Sequence, residues 1–159
     1  MFSRIWNNYL APLLGRPARV QLAALCHRDG ADGPEVLLIT SRTTRRWIIP
    51  KGWPVAGTDG AGTALQEAWE EAGVKPADTD RIRIGRYRYN KIVNGGLPVP
   101  TDVYVYAVKV EALLDSFPEM AERERAWMSP EDAARAVDEP ELKAILKDFP
   151  KRIEDARRR

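Results

Sequence analysis

The stretch KGWPVAGTDGAGTALQEAWEEAGV, residues 51–74, decides how this chain folds and what it can bind. Its first half, 51–62, contains one lysine and four glycines, a composition typical of a loop that either turns or lets backbone approach a ligand closely. Its second half predicts a helix over 63–73. Thr63 is the predicted N-cap, Gln66 completes a capping box, and Gly73 suits the left-handed residue that ends a helix.

The predicted helix has two chemically different faces. Each residue turns an α-helix by about 100°, which separates an apolar face from an opposite acidic face; these are Leu65, Ala68, Trp69 and Ala72 against Glu67, Glu70 and Glu71. No lysine or arginine occurs within 63–74 to relieve the repulsion between the carboxylates. The acidic face therefore indicates either a solvated surface or a site for an external cation.

The residues around this stretch favour the cation. Carboxylate oxygens one helical turn apart suit Mg²⁺ or Mn²⁺, which bind through a few carboxylates and the oxygens of a phosphorylated substrate. Basic residues lie on both sides of the helix: Arg42, Arg45, Arg46 and Lys51 before it, and Arg86, Arg88 and Lys91 after it. A carboxylate metal site surrounded by arginine and lysine fits a polyphosphate, because the metal ion and the basic side chains together neutralise the phosphate charge.

The rest of the chain predicts one mixed α/β domain over 1–159. Apolar or alternating segments predict strands at 18–27, 35–40, 81–92 and 102–110, and the first two form a hairpin. Ser129 and Pro130 begin a helical C-terminal part. Residues 1–17 are an N-terminal extension with a short amphipathic helix, and 150–159 are a basic C-terminal tail.

Composition narrows the class of protein. Hydrophobic residues make up 44% and charged residues 30% of the chain, which is ordinary for a soluble globular domain. The net charge of +2 and the absence of a sustained basic groove argue against a nucleic-acid partner, such as RNA 5′ ends. A single cysteine and the lack of a signal peptide or membrane span predict a cytoplasmic protein.

The spacing of these residues resembles the signature of the Nudix hydrolases. That signature is Gly, five residues, Glu, seven residues, Arg-Glu, an apolar residue, any residue, Glu-Glu, any residue, Gly and an apolar residue. The positions that match are Gly52, Glu67, Ala68, Glu70, Glu71, Gly73 and Val74. LLITSRTTRRWIIPKGW, IGRYRYNK and ERAWMSPEDAARAV further resemble the branch that hydrolyses diphosphoinositol polyphosphates and diadenosine polyphosphates, over roughly 18–149.

The resemblance implies a fold and a reaction. The fold is an α/β/α sandwich with a mixed β-sheet, and the reaction is hydrolysis of a pyrophosphate bond with Mg²⁺ or Mn²⁺. The implied substrate is a small phosphoanhydride: a dinucleoside polyphosphate, a nucleoside diphosphate derivative or an inositol pyrophosphate. The implied catalytic and metal-binding residues are Glu67, Glu70 and Glu71, with the Gly52 carbonyl as a further metal ligand. The implied substrate-binding residues are Arg42, Arg46, Lys51, Arg86 and Lys91.

Two signature positions differ. Thr58 stands where the family has its early glutamate, and Gln66 where it has the arginine that holds a neighbouring glutamate. Gln66 can donate hydrogen bonds but lacks the charge and planar fork of arginine. The alternative reading is therefore a Nudix domain that binds a nucleotide or polyphosphate without turnover.

Four further expectations concern residues that the signature does not specify. His27 is expected to have a surface or packing role rather than act as a base, and Cys26 is expected to be a small buried residue rather than a nucleophile. Trp53 is expected to pack beside the Lys51 corner, with stacking on a ligand as the alternative. At most one carboxylate of the segment 119–124 is expected to return to the metal site.

Overall fold

The computed structural model describes residues 19–79 and 81–159, and it forms one eight-stranded mixed sheet with helices on both faces. The strands are β1 (Arg19–Gly30), β2 (Gly33–Thr40), β3 (Trp47–Ile48), β4 (Lys51–Gly52), β5 (Val74–Pro76), β6 (Ile82–Val93), β7 (Leu97–Leu113) and β8 (Arg125–Met128). The helices are α1 (Gly60–Ala72), α2 (Pro130–Ala136), α3 (Pro140–Lys147) and α4 (Phe149–Arg157). The predicted fold class, an α/β/α sandwich around a mixed sheet, is confirmed.

The sheet is organised around two long strands. β1 and β7 pair in parallel from Arg19↔Thr101 to His27↔Lys109. Antiparallel neighbours complete the sheet: β2 and β4 pair with β1, β5 and β6 pair with β7, and β3 and β8 pair with β2. The predicted hairpin of the first two strands is present, with His27↔Val36 in register.

Alternation along β1 divides the interior into two cores. Ala23 and Leu25 face a core shared with α2, α3 and α4, whose buried members include Leu142 and Phe149. Ala24 and Cys26 face the other core, where the alanines of α1 pack; these are Ala64, Ala68 and Ala72. Since successive strand residues point to opposite faces, one strand supplies both cores.

Helix α1 begins three residues before the predicted start, because Asp59 and not Thr63 is the N-cap. Asp59 Oδ1 accepts a 2.7 Å hydrogen bond from the Gly62 N–H, the usual way an N-cap satisfies the first turn. Thr63 lies inside the helix and is buried, and its Oγ1 accepts from the Val55 N–H at 3.1 Å. The predicted end is confirmed: Gly73 has φ 66° and ψ 29°, the left-handed conformation.

The predictions for the two ends of the chain have different outcomes. The residues predicted as a basic tail are helical as far as Arg157, since α4 packs against the sheet through the buried ring of Phe149 and continues to that residue. The short helix predicted within the N-terminal extension, 1–17, lies outside the described residues. Among residues 19–79 and 81–159, no helix is long and apolar enough to cross a membrane.

Candidate active site

A cleft of about 540 Å³ opens at one end of the sheet, beside the corner formed by β4 and α1. It is lined by the start of β1, the loop after β2, β4, the cleft-facing side of α1 and the end of β6. Its charged members are Arg42, Arg46, Lys51, Glu67, Glu71, Lys91 and Arg123. Carboxylates from one helix and cations from four other segments therefore share one solvent-accessible space.

Two of the three signature glutamates line the cleft and are buried. Glu67 is 3% and Glu71 5% exposed. Glu71 Oε1 accepts a 3.3 Å hydrogen bond from the Lys51 backbone N–H, which fixes the helix against β4. Gly52 leaves room for Glu67: a Cβ at position 52 would overlap the Glu67 carboxylate and come 2.9 Å from its Cγ. The first glycine of the signature therefore leaves the space that the carboxylate of the first helix glutamate occupies.

Glu70 is half-buried and does not line the cleft. Its Oε1 accepts a 3.3 Å hydrogen bond from Gln66 Nε2, and its backbone carbonyl accepts one from the Glu119 N–H at 3.0 Å. Gln66 therefore contacts a neighbouring glutamate instead of closing the predicted capping box.

The two predicted faces of α1 need correction. Glu67 and Glu71 are buried, whereas Trp69, assigned to the apolar face, is 38% exposed. The sheet lies against the alanines of α1, because small side chains allow the close helix–sheet approach that a tryptophan on the same line would prevent.

Arg123 also lines the cleft, although no pattern in the sequence predicts it. Its side chain is 5% exposed, and its Nη2 lies 2.9 Å from Glu119 Oε1 and 3.7 Å from Glu71 Oε1. Its Nη1 donates to the Thr40 carbonyl at 3.1 Å. A buried guanidinium thus links the acidic helix to Glu119, the buried carboxylate of segment 119–124. An isolated arginine between two glutamates offers no spacing pattern that would have identified it.

The predicted cationic residues occupy the cleft wall in different states. Arg46 forms an ion pair with the buried carboxylate of Glu139, a residue that was not predicted. Arg42 Nη1 is 3.8 Å from Glu119 Oε1, and half of its side chain is exposed. Removal from water lowers the pKa of Lys51 to about 8, which nearby Glu71 partly opposes. Burial also lowers the pKa of Lys91, whose Nζ lies 5.8 Å from the ring centroid of Trp53.

The structure does not bring Arg86 to the cleft. Arg86 and Arg88 are exposed on one face of β6, and Tyr87 and Tyr89 lie on the other. Arg88 pairs with Asp102 at 2.8 Å, while the Tyr89 hydroxyl donates to Gln21 at 2.6 Å beside the cleft. The predicted alternation of β6 is present, but alternation alone does not determine which face of the strand adjoins the cleft.

Thr58 is exposed and is not among the cleft-lining residues. Its Oγ1 donates to the Val55 carbonyl at 2.8 Å and lies 2.9 Å from Thr63 Oγ1. This departure from the signature therefore stabilises the turn before α1 and leaves the carboxylates of the cleft unchanged.

The donor set of the cleft fits Mg²⁺ or Mn²⁺ in chemistry, because it consists of carboxylate oxygens beside a glycine backbone. Among the described residues, no three carboxylate, imidazole or thiol side chains converge on one point. One reason is the guanidinium of Arg123, which lies between the carboxylates of Glu71 and Glu119.

Packing roles expected for three other residues agree with their surroundings. Burial raises the pKa of the Cys26 thiol to about 12, so the thiolate does not form at neutral pH. His27 packs on Phe149, with ring centroids 5.1 Å apart, and Trp53 is buried at the cleft wall.

The sequence matches known proteins along most of its length. The family model described as NUDIX domain matches residues 17–149. Diphosphoinositol polyphosphate phosphohydrolase 3-beta of Bos taurus is 32% identical over 117 residues, covering 72% of this chain and 66% of that protein. The human 3-alpha protein of the same description is 31% identical over the same shares. The chain thus spans just under two thirds of the length of these curated relatives.

Solved structures share the fold. A Caenorhabditis elegans Ap4A hydrolase in a binary complex superposes with a TM-score of 0.63 at 20% identity, covering 87% of this chain and 99% of that one. The NUDIX domain of Shewanella oneidensis NrtR, complexed with ADP ribose, superposes with a TM-score of 0.65 at 14% identity, covering 96% and 99%. At these identities the similarity establishes the architecture.

Proposed function

Since the chain belongs to the Nudix hydrolase family, we propose that it hydrolyses a phosphoanhydride bond in a small, highly anionic substrate with the help of Mg²⁺ or Mn²⁺. The observation that carries this proposal is the pair of buried carboxylates, Glu67 and Glu71, in a cleft whose other walls bear arginines and lysines. Carboxylates for a divalent cation and cations for phosphate oxygens are the two requirements of phosphoanhydride hydrolysis.

The residues of the cleft have distinct roles in this proposal. Glu67 and Glu71 would hold the metal ion from the cleft wall, together with the Gly52 carbonyl. Glu70, which precedes Glu71 on α1 but lies outside the cleft wall, would be the third carboxylate. When bound, that ion supplies charge neutralisation at the phosphates and lowers the pKa of a water molecule. Arg42 and the two cleft lysines neutralise the remaining phosphate charge, and Arg46 is oriented for the same role by Glu139.

Two features support turnover despite the altered signature. Thr58 lies outside the cleft, so replacing the family's glutamate by threonine at this position removes no negative charge from the cleft wall. Gln66 keeps a hydrogen bond to Glu70, which retains an orienting contact for that carboxylate. The substrates named for the curated relatives and for the Caenorhabditis structure guide the choice of compounds to test: inositol pyrophosphates and dinucleoside polyphosphates.

The test is an activity assay on the full chain. Purified protein is incubated with Mg²⁺ or Mn²⁺ and a panel of dinucleoside polyphosphates, nucleotide sugars and inositol pyrophosphates, and phosphate-containing products are measured. Glu67→Gln, Glu70→Gln and Glu71→Gln should each remove most of the turnover. Glu131→Gln, an exposed change on α2, is the matched control and should leave turnover intact.

The second candidate function is binding without turnover. It is favoured by the Arg123 guanidinium beside Glu71 and by the lack of a preformed three-carboxylate cluster in the described residues. Calorimetric binding of panel compounds with no product from any of them would support this candidate and reject the hydrolase. Full activity in both Glu67→Gln and Glu71→Gln would reject the metal-binding assignment.

A further inference from the structure

A second, smaller cavity of about 190 Å³ lies at the opposite end of the central strands from the cleft. Strand β1 contributes Gln21 to the cleft and His27 to this cavity, on the same face and about 20 Å apart at the usual rise per residue. The two spaces have no lining residue in common. The packed core of β1 and the C-terminal helices lies between them.

Three of the residues that line this cavity carry positive charge or an N–H donor. Lys109 comes from β7, Arg157 from the last turn of α4, and His27 from β1; Thr79 adds a hydroxyl. The remaining wall is apolar: Ile82, Ala107 and Ile153. Within the described residues the cavity wall carries no carboxylate, although Asp29 lies 3.9 Å from Lys109 Nζ in an exposed pair outside the wall.

His27 is the unusual member of this group. His27 is only 7% exposed. Within residues 19–79 and 81–159, its imidazole contacts the ring of Phe149 but forms no hydrogen bond. Its ring nitrogens are not among the fully enclosed polar atoms of the described residues, so they remain accessible. An imidazole that lines a cavity beside two cations therefore has a donor group available to a ligand.

We propose that this cavity binds a small phosphate-type oxyanion, with Lys109 and Arg157 as counter-charges and the His27 imidazole as a hydrogen-bond donor. A tetrahedral oxyanion presents several acceptor oxygens, and each polar side chain of the wall, from His27, Thr79, Lys109 and Arg157, can donate to one of them. Free phosphate and the phosphate group of a monoester share this chemistry. The site is separate from the cleft and does not depend on the proposed activity.

The electrostatics of the cavity agree with this proposal. Burial, followed by Arg157 and Lys109, lowers the pKa of His27 to about 4, and Asp29 opposes this shift. The imidazole is therefore neutral at pH 7. A bound anion would offset the two cations, so anion binding should raise the pKa of His27.

His27 is the only histidine of the chain, so its ring signals report on the cavity directly. The test follows the His27 imidazole by NMR in the full chain while inorganic phosphate, glycerol phosphate or acetate replaces chloride at constant ionic strength. Indole signals of the cleft residue Trp53 report separately on binding at the other site. We expect saturable shifts of the His27 signals with phosphate and a rise of its pKa by about one unit or more.

Variants distinguish a built site from general anion effects. Lys109→Gln and Arg157→Gln should each weaken the response, and the double variant should remove it, while Lys75→Gln, an exposed change on β5, should not alter it. A response to glycerol phosphate alone would identify a monoester as the ligand, and a response to both would identify the phosphate group itself. Unshifted His27 signals, equal shifts in the double variant, or equal shifts with acetate would overturn the proposal.

Discussion

A Cβ on Gly52 would overlap the carboxylate of Glu67, so the shape of the site depends on this residue having no side chain. Gly52→Ala should displace the Glu67 carboxylate and reduce kcat by about 10²-fold, the effect of misplacing a catalytic group by roughly an ångström. Steady-state kinetics with the best substrate of the panel measure this loss.

Gly30→Ala is the matched control, because a Cβ there would also meet a glutamate, 2.6 Å from Glu35 Oε1. Glu35 is exposed enough to move aside and lies outside the cleft, so turnover should be unaffected. Equal kcat in Gly52→Ala and wild type would mean that the position of the Glu67 carboxylate does not limit the reaction.

Arg123 neutralises two buried carboxylates, Glu71 and Glu119. Replacing it by methionine leaves Glu71 and Glu119 without that cation, and removing one partner of a buried ion pair costs about 3–5 kcal/mol. Arg123→Met should therefore lower the free energy of unfolding by an amount in that range, measured by urea denaturation in the presence of a chelator.

Added Mn²⁺ should raise the Tm of Arg123→Met by more than it raises that of the wild type, because the metal ion and the guanidinium neutralise the same carboxylate. Arg45→Met removes a half-exposed arginine of the same region and should change neither quantity appreciably. A smaller Mn²⁺ effect in Arg123→Met than in the wild type would argue that the arginine orients Glu71 for the metal.

The residues of the site could be predicted to different extents. That Glu67, Glu71 and Gly52 lie together at the cleft was predictable, because one helix and the turn before it fix their separations. Arg123 and Glu139 were not, because their positions depend on how distant segments return to the cleft. Arg86 was misplaced for the same reason: β6 alternates as predicted, but tertiary packing selects the face that adjoins the cleft.

At the scale of the element, α1 depends on Asp59 for its start. Asp59→Ala should remove the N-cap hydrogen bond and lower the free energy of unfolding by about 1 kcal/mol, whereas Asp59→Asn should retain most of it. Urea denaturation measures both, and Asp78→Ala in the loop after β5 serves as the control. A loss in Asp78→Ala equal to that in Asp59→Ala would contradict the capping role.

The same helix shows the limit of periodicity. The residue pattern of α1 correctly predicted that a helix exists, and the left-handed preference of Gly73 correctly predicted where it ends. The predicted start was wrong because threonine and aspartate are both favoured N-cap residues. In the structure the Thr63 hydroxyl is hydrogen-bonded to Val55 and Thr58, and Asp59 is the N-cap. The exposure of Trp69 follows from close packing of three alanines on the sheet.

At the scale of the whole molecule, stability should depend on pH through His27. Its pKa is about 4 in the folded chain, compared with an ordinary value of 6.5. Between these values the unfolded chain binds more protons than the folded one, so the free energy of unfolding falls as the pH is lowered. The loss attributable to His27 should reach about 2 kcal/mol near pH 5.

Comparison with His27→Gln isolates this effect, because other acid-titrating groups are common to both proteins. In phosphate-free buffer, the stability of the wild type relative to the variant should decline below pH 6.5 and be constant above it. Parallel pH profiles for the two proteins would show that the imidazole is not held neutral.

The parallel pairing of β1 with β7 joins residues about 80 positions apart in the chain. Hairpins such as β1–β2 close short loops and can form early, whereas this central pairing must close a long one. The cleft contains residues that precede β7 in the chain, such as Gln21 and Glu67, and a residue that follows it, Arg123. During synthesis, therefore, the site is assembled only after β7 and the segment beyond it have left the ribosome. A nascent chain stalled before residue 97 contains every matching signature residue, from Gly52 to Val74, but has no cleft.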